Sequence, residues 1–308
     1  MTGDVIVALT PAAMLIALGW MLRRRQMLPD GFWPPAEWLS YYVLLPALFV
    51  HGLATAELGS VPVGRMFIVL VGSVVVTAAL VVAARRAFPV GDAGFTSVFQ
   101  GAVRFNNYVG VMLATGLYGA EGTALAAVAN AAIVPTVNIL SVLVFSRYGA
   151  ARPRLSGVLR QVATNPLVVA CVIGGLLQAS GLGLHPAPAA TLKSLGQASL
   201  ALGLLCVGAA LDLGAVRGDA GAVLRASLVK FVMLPAVTIA ACLAVGLGGA
   251  AGLVAVIFHA LPTASSSYIL SRQMGGDARL MAGIIAVQTI VAAAVIPAAV
   301  LVAAGLLD

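Results

Sequence analysis

The chain has 308 residues, of which 61% are hydrophobic and 9% are charged, and its formal net charge is +7. A soluble domain carries about 45–50% apolar and about 25% charged residues, so a soluble fold of this size would expose far too much apolar surface to water. Composition therefore excludes a soluble enzyme or binding module and predicts an integral membrane protein.

Ten apolar segments follow one another along the chain, and a helix that spans a bilayer needs about 20 such residues. Arg23–Arg25 follow the first segment, whereas a signal peptide has its positive charge in front, so we expect this segment to remain as a helix. The connections are short and predict antiparallel neighbours in an all-α polytopic membrane protein. The segments are 4–22, 37–54, 64–84, 94–118, 122–145, 160–180, 190–211, 222–246, 249–272 and 279–305.

The basic residues between these spans are distributed very unevenly. With ten spans, only Arg65 and Lys193 fall on one side of the membrane, with Arg104 and Lys230 inside or near the end of spans. Because cytoplasmic loops collect Lys and Arg, we predict a protein of the inner (plasma) membrane with both termini outside the cytoplasm. This arrangement explains the net charge without a nucleic-acid partner. The thirteen on the other side are Arg23, Arg24, Arg25, Arg85, Arg86, Arg147, Arg152, Arg154, Arg160, Arg217, Arg225, Arg272 and Arg279.

Short stretches of the first half of the chain recur in the second half. The stretch TPAAMLIALGWML from Thr10 resembles NPLVVACVIGGLL from Asn165, and AELG ending at Gly59 resembles LDLG ending at Gly214, both 155 residues later. A repeat of five spans is odd-numbered, so the second copy must be inverted in the membrane, as in many secondary transporters. We predict two inverted five-helix repeats, 1–148 and 149–308, with no separate soluble domain.

The fourth span is polar at its middle. Arg104 lies about ten residues into it, about 15 Å along the axis, where a charge costs roughly 2.5–3.5 kcal/mol. Asn106 and Asn107 follow. A continuous helix would place Gln100, Arg104 and Asn107 on one face, and such a face must contact protein or water rather than lipid.

The ninth span is interrupted at the equivalent place of the second repeat. Pro262 removes a backbone hydrogen bond there, and the hydroxyls that follow could satisfy freed backbone groups or a ligand. Two broken helices at equivalent repeat positions indicate the binding site of a transporter. The alternative is that Pro262 only kinks a packed helix. The hydroxyls belong to Thr263, Ser265, Ser266 and Ser267.

Arg104 is the residue on which the nature of the ligand depends. No Asp or Glu lies in the core of any predicted span, so we expect Arg104 to hold an anion, with a structural clamp as the alternative. Asn130, Asn138 and Gln288 could line the same site, although such side chains more often form interhelical hydrogen bonds worth about 0.6 kcal/mol. The sequence indicates no catalytic centre, cofactor or metal cluster.

Three further basic side chains lie in or near the spans. Lys230 is expected near the start of the eighth span, where its stem could carry the ammonium group to the cytoplasmic surface. His51 and His259 could carry protons. A lone histidine in an apolar helix is more often a packing residue.

Five segments carry a resemblance to a known family. They are YYVLLPALFVHGLA in span two, RFNNYVGVMLATGLYGAEG in span four, NPLVVACVIGGLL in span six, LLCVGAALDLG in span seven and ALPTASSSYILSRQMGGD in span nine. In this order they resemble the auxin efflux carrier family of membrane transport proteins, which includes plant PIN-type carriers and bacterial malonate-transporter-like proteins. The malonate-transporter-like members are the branch that this chain most resembles.

The resemblance implies a bile-acid-symporter-like fold in which spans four and nine cross at their broken middles. Spans one, two, six and seven would form a scaffold that often dimerises, and the other six would move as a transport unit in an elevator-like manner. Asn106, Asn107 and Pro262 would lie at the crossing. Plant members have a proline at both crossings and this chain has none near Asn106, which leaves open whether span four is interrupted.

We therefore expect a carrier of small organic anions, operating outward across the lipid bilayer. A membrane-embedded receptor that binds a ligand without moving it is the alternative, although it would normally need a soluble output domain. An intramembrane enzyme is disfavoured because no span contains a paired acid and base. The sequence leaves open whether a proton or a sodium ion is coupled.

Overall fold

The computed structural model describes residues 2–56, 62–149, 163–212 and 219–307, together with Gly157, Arg160 and Gly214. Every regular element in these residues is helical, which confirms the predicted all-α class. The helices are α1 Thr2–Arg24, α2 Trp33–Leu39 continuing as Leu45–Ala54, α3 Val63–Ala83, α4 Asp92–Val103, α5 Asn107–Tyr148, α6 Pro166–Ala179, α7 Pro186–Ala209, α8 Ala220–Leu228 continuing as Leu234–Val245, α9 Gly249–His259, α10 Ser266–Met274 and α11 Ala278–Leu307.

Two of these helices contain a wider turn, and one folds back on itself. π-Helical turns at Ser40–Leu44 and Val229–Met233 join the two parts of α2 and of α8. Helix α5 is interrupted at Gly119, whose φ of 58° and ψ of −128° suit a residue without a Cβ. The Thr115 and Thr123 hydroxyl oxygens lie 2.9 Å apart across this turn, between the predicted ends of spans four and five.

Six helical stretches of the described residues are long and apolar enough to cross a bilayer, as a multi-pass membrane protein requires. One of them, Asp92–Tyr148, has 57 residues, nearly three times the length that one crossing needs. The ten-span topology and the inverted repeat remain predictions. Gly59, Arg152, Arg154 and Arg217, which entered those predictions, lie outside the described residues.

The helices cluster into two compact units that interleave along the chain. Unit 1 comprises Met1–Val63, Asn107–Val134 and Ala163–Ala210, and unit 2 comprises Gly64–Asn106, Pro135–Val162 and Leu211–Asp308. Unit 1 therefore contains the first, second, sixth and seventh predicted spans. It also holds the first part of α5.

Unit 1 is built on close packing of α7 against α1 and α2, and of α2 against α6. Small residues allow this approach: a Cβ on Gly19 would collide with the Leu205 carbonyl oxygen, and one on Gly208 would collide with the Ile16 carbonyl oxygen. Without a hydrophobic force between helices in lipid, such close backbone packing is a main source of association.

Unit 2 has a core in which α4, α8, α9, α10 and α11 pack against one another. The side chains of Phe95, Phe99 and Phe258 are almost completely buried in it. The end of α4 and the break between α9 and α10 both lie within this core. The polar middles of the fourth and ninth predicted spans are thus held by tightly packed apolar surroundings.

Candidate functional site

The fourth predicted span is interrupted without a proline. Helix α4 ends at Val103, Arg104 has an extended backbone with φ −76° and ψ 159°, and α5 begins at Asn107. The Asn106 N–H donates a hydrogen bond of 2.8 Å to the Pro262 carbonyl oxygen. The non-helical backbone of one interrupted span is therefore satisfied by that of the other.

The ninth predicted span is interrupted between His259 and Ser266, around Pro262. The freed Thr263 N–H donates to Gln288 Oε1 at 3.0 Å, and Gln288 Nε2 donates to the Gly101 carbonyl oxygen at 2.9 Å. One amide on α11 thus bridges the ends of both interrupted helices. Non-helical backbone at membrane depth needs such protein partners.

A second set of contacts ties α4 to α10 through completely buried polar side chains. Gln100 Nε2 donates to Ser271 Oγ at 2.9 Å, and Thr263 Oγ1 lies 3.4 Å from the Gln100 carbonyl oxygen and 3.2 Å from Ser267 Oγ. Gln100, Thr263, Ser267 and Ser271 each have 0% exposure. These side chains hold the two helices together where water does not reach.

Arg104 lies at the edge of this buried network and is only partly buried. Its Nη1 donates to Asn138 Oδ1 at 2.9 Å, and its Nη2 donates to Ser266 Oγ at 3.2 Å. Both of these partners are neutral. Ser265 and Ser266 are partly exposed as well, next to the N-terminus of α10. Unit 2 therefore presents a cation, hydroxyls and a helix N-terminus together.

A comparison with family models matches the membrane transport protein family over residues 4–300. The chain belongs to this family. It is the auxin efflux carrier family that the sequence motifs indicated, so that prediction is confirmed. The comparison with curated proteins gave no match. The family is one of transporters rather than enzymes, in agreement with the function expected from the sequence.

Within this transporter, the predicted site residues divide between the two compact units. Unit 2 holds Gln100, Arg104, Asn106, Pro262, Thr263, Ser265, Ser266, Ser267 and Gln288, whereas Asn107 and Asn130 belong to unit 1. Asn130 Nδ2 donates to the Ala126 carbonyl oxygen of its own helix, and its Oδ1 is buried with no hydrogen-bond partner among the described residues.

The question of whether span four is interrupted is answered, and one prediction about side-chain placement is wrong. Gln100, Arg104 and Asn107 would share a face only in a continuous helix, whereas the helix ends at Val103 and the extended backbone of Arg104 changes the direction of the chain. Lys230 does not reach the surface; its side chain is completely buried. It is the eleventh residue of α8, about 15 Å from the helix start, which is beyond the reach of its stem.

One member of the buried network, Ser271, was not predicted from the sequence. It follows Ser267 by four residues, and residues at this spacing lie on the same face of a helix. The spacing within SSSYILS could have identified it. Its hydroxyl lies nine residues after Pro262, outside the cluster that directly follows the proline.

Unit 2 also contains an open depression away from the interrupted helices. It includes the opposite charges of Asp212 and Arg279 but none of the predicted site residues. Its lining is Asp212, Gly214, Tyr268, Ala278, Arg279 and Ala282.

Proposed function

We propose that this membrane transport protein is a secondary carrier of small organic anions, carboxylates in particular, and that the anion binds at the interrupted helices of unit 2. The observation that carries the proposal is the position of Arg104. A guanidinium group lies partly exposed where two helices break, beside the hydroxyl of Ser266 at 3.2 Å.

The chemistry at this point favours a carboxylate. A guanidinium group presents a planar fork of donors that matches two carboxylate oxygens. The hydroxyl groups of Ser265 and Ser266 can donate to the same ligand, and the N-terminus of α10 adds the positive end of a helix dipole. The Arg104 contacts with Asn138 and Ser266 hold the fork in place beside the break.

The buried side chains have a different part in this proposal. Gln100, Thr263, Ser267 and Gln288 hydrogen-bond to one another's helices and are completely buried. They maintain the two breaks, while Arg104, Ser265 and Ser266 contact the anion. Asn106 and Pro262 contribute the backbone hydrogen bond that joins the breaks. We expect Asn107 and Asn130 to take part in the same cycle.

The proposal extends to the transport cycle. Unit 2 carries the bound anion as the moving part of an elevator-type, alternating-access mechanism, and export is the working direction. Spans one, two, six and seven act as the scaffold, through which two copies of the chain form a homodimer. A malonate-like dicarboxylate is the first substrate to test, because the motifs resemble that bacterial branch. The family assignment does not favour the alternative of a sensor that binds without transport.

Flux into proteoliposomes tests the proposal. Purified protein would be reconstituted, and uptake of labelled malonate, succinate, benzoate and indole-3-acetate would be followed with and without proton and sodium gradients. We expect at least one carboxylate to enter faster than in protein-free liposomes, and entry to be lost in Arg104→Ala. If none of these acids crosses while a neutral or cationic solute does, the anion proposal is wrong.

A further inference from the structure

Lys230 is an amine in the interior of unit 2. It lies in the π-helical turn Val229–Met233 of α8, and its side chain has 0% exposure. Its Nζ has no hydrogen-bond partner among the described residues. π-Helical turns inside α-helices frequently occur at functional sites. Burial without a partner disfavours the charged ammonium, so the neutral amine, whose lone pair can accept a proton, becomes accessible.

His259 is a second buried base of unit 2, on helix α9, which packs against α8. It is the last residue of α9, directly before the break that contains Pro262, and it is 1% exposed. Its Nδ1 lies 2.6 Å from Thr238 Oγ1 of α8, while its Nε2 has no hydrogen-bond partner in the described part of the chain. Two positive charges in one buried core would repel each other, so a proton on one base disfavours a proton on the other.

The helices packed around these bases supply no counter-charge close at hand. Helices α4, α8, α9 and α11 carry one carboxylate among their residues, Asp92, whose Oδ1 lies 3.1 Å from Arg85 Nη2. Arg225 of α8 is half-buried and Arg279 of α11 is exposed, and both are positive. Cys242 of α8 is the remaining titratable group. A proton held by the pair must therefore be stabilised by polar groups of the protein itself.

The end of α9 provides such groups. The last carbonyl groups of a helix carry the negative end of its dipole and favour a cation in the final turn, where His259 lies. The pair thus has two lone pairs for a proton, on Lys230 Nζ and His259 Nε2, and surroundings that favour one added charge and disfavour two. His259 adjoins the backbone break, and neither base belongs to the proposed anion site.

We propose that Lys230 and His259 form a proton-exchange site that binds and releases a single proton next to the break between α9 and α10. The nitrogen lone pair of Lys230 accepts the proton, and His259 prevents the uptake of a second one. If the proposed transport function holds, this pair makes the proton, rather than sodium, the ion whose binding is linked to the interrupted helix.

The experiment uses purified full-length protein without any substrate. Thermal unfolding midpoints would be measured from pH 5.5 to 9 for the parent protein, Lys230→Met and Lys230→Leu. An unfolded lysine stays protonated over this range. At pH values where folded Lys230 is also protonated, the difference in unfolding midpoint between parent and variant does not change with pH. Where it has lost its proton, the parent gains stability with rising pH relative to the variant.

For both apolar replacements, we expect the difference in unfolding midpoint, parent minus variant, to be constant at the low end of the pH range and to rise at the high end. A level difference throughout would show that Lys230 never releases its proton, and a uniform slope throughout would show that it never binds one; either result overturns the proposal. Lys193→Met, at an exposed lysine in unit 1, is the matched control and should give a level difference.

The pairing with His259 is tested by a double-mutant cycle with His259→Gln. The effects of the two substitutions should add at high pH and depart from additivity as the pH falls, because either change relieves the same repulsion. Additive effects at every pH would remove His259 from the site. These readings need no substrate. If the protein transports no anion but its stability difference bends with pH, the proposed transport function is wrong and the proton site stands. If it transports an anion but shows no bend, the proton site is wrong and the transport function stands.

Discussion

Arg104 illustrates how a charge is accommodated in this chain. It sits where α4 ends, and its two terminal nitrogens donate to an amide oxygen on α5 and to a hydroxyl on α10. These contacts orient the guanidinium group, and its partial exposure leaves it accessible. A clamp and a binding residue would both use such contacts, so the distinction rests on what happens when the side chain is shortened.

Replacement of Arg104 separates these two roles. Arg104→Lys keeps the charge but loses the planar fork, so we expect weaker carboxylate binding, and Arg104→Ala should bind roughly ten- to a hundredfold more weakly, as for the loss of a charged hydrogen bond. An uncharged analogue of the substrate should bind the parent protein and Arg104→Ala about equally. The measurement is the affinity for the carboxylate that crosses in the flux assay, with thermal unfolding recorded on the same samples.

The outcome is informative in either direction. A well-folded Arg104→Ala protein with unchanged anion affinity would refute the anion site. A protein that no longer folds would identify Arg104 as a clamp between α4, α5 and α10. Arg272→Ala is a suitable control, since Arg272 is exposed on α10.

Individual side chains could be predicted only where a polar residue stands out within an apolar segment. Arg104 and Gln288 stand out in the sequence because polar groups are rare in apolar runs, and both make hydrogen bonds between elements. Lys230 was misplaced because the sequence does not reveal the start of α8 or its π-helical turn, and these determine how deep the lysine lies. Asn107 and Asn130 could not be assigned to a unit because packing partners are not encoded locally.

At the level of the helices, the two interruptions have different origins. Pro262 explains why α9 and α10 are separate, since proline removes a donor and clashes with the preceding turn. No residue of the fourth span forces its break in the same way. The Asn106 N–H bonds to the Pro262 carbonyl and Gln288 bonds to Gly101, so tertiary contacts compensate for the lost helical bonds. A break that depends on distant partners is invisible in local sequence.

Pro262→Ala tests the importance of the ninth-span break. Alanine permits a continuous helix, and closing the break would remove the Pro262 carbonyl from the Asn106 N–H. We expect carboxylate flux to fall more than the thermal midpoint does. Pro297→Ala, a proline inside the uninterrupted helix α11, is the control and should leave flux nearly unchanged. Parent-level flux in Pro262→Ala would mean that the proline only kinks a packed helix.

The glycine contacts of unit 1 give a prediction about helix pairing. A Cβ at position 208 would collide with the backbone of Ile16 on α1, whereas one at position 175 on α6 would meet no atom within 4 Å. Gly208→Ala should therefore cost about 1–3 kcal/mol through overpacking, and Gly175→Ala should cost little. Unfolding of both variants in the same detergent checks this, and equal losses would contradict it.

For the whole molecule, the distribution of arginines predicts both termini outside the cytoplasm. A green fluorescent reporter, which matures in the cytoplasm, should be dark when fused after Asp308, and alkaline phosphatase at the same position should be active. The same reporters fused after Met27, at the end of the first basic cluster, should give the opposite result. Fluorescence from the fusion after Asp308 would overturn the ten-span topology.

The sequence indicates where helical segments lie, whereas their grouping depends on packing. Apolar runs mark the helices because each must match the bilayer, and the predicted segments overlap α1 to α11, with the ninth segment divided into α9 and α10. The compact units describe packing, with one boundary inside α5 between Val134 and Pro135, and the repeats 1–148 and 149–308 stay a prediction. The pairing of helices depends on surfaces such as the glycine faces of α7. The sequence alone does not show which helix contacts such a surface.

The interleaved composition of unit 1 has a consequence for biosynthesis. Helix α1 ends at Arg24 and packs closely against α7, which ends at Ala209. At about 5–20 residues per second, roughly ten to forty seconds pass on the ribosome between the completion of these two helices. During that interval the side of α1 that carries Gly19 is in the membrane without its partner. The insertion machinery or neighbouring lipids must therefore shelter the first helix until the seventh arrives, and a ribosome stalled before residue 186 leaves a chain that cannot complete this unit.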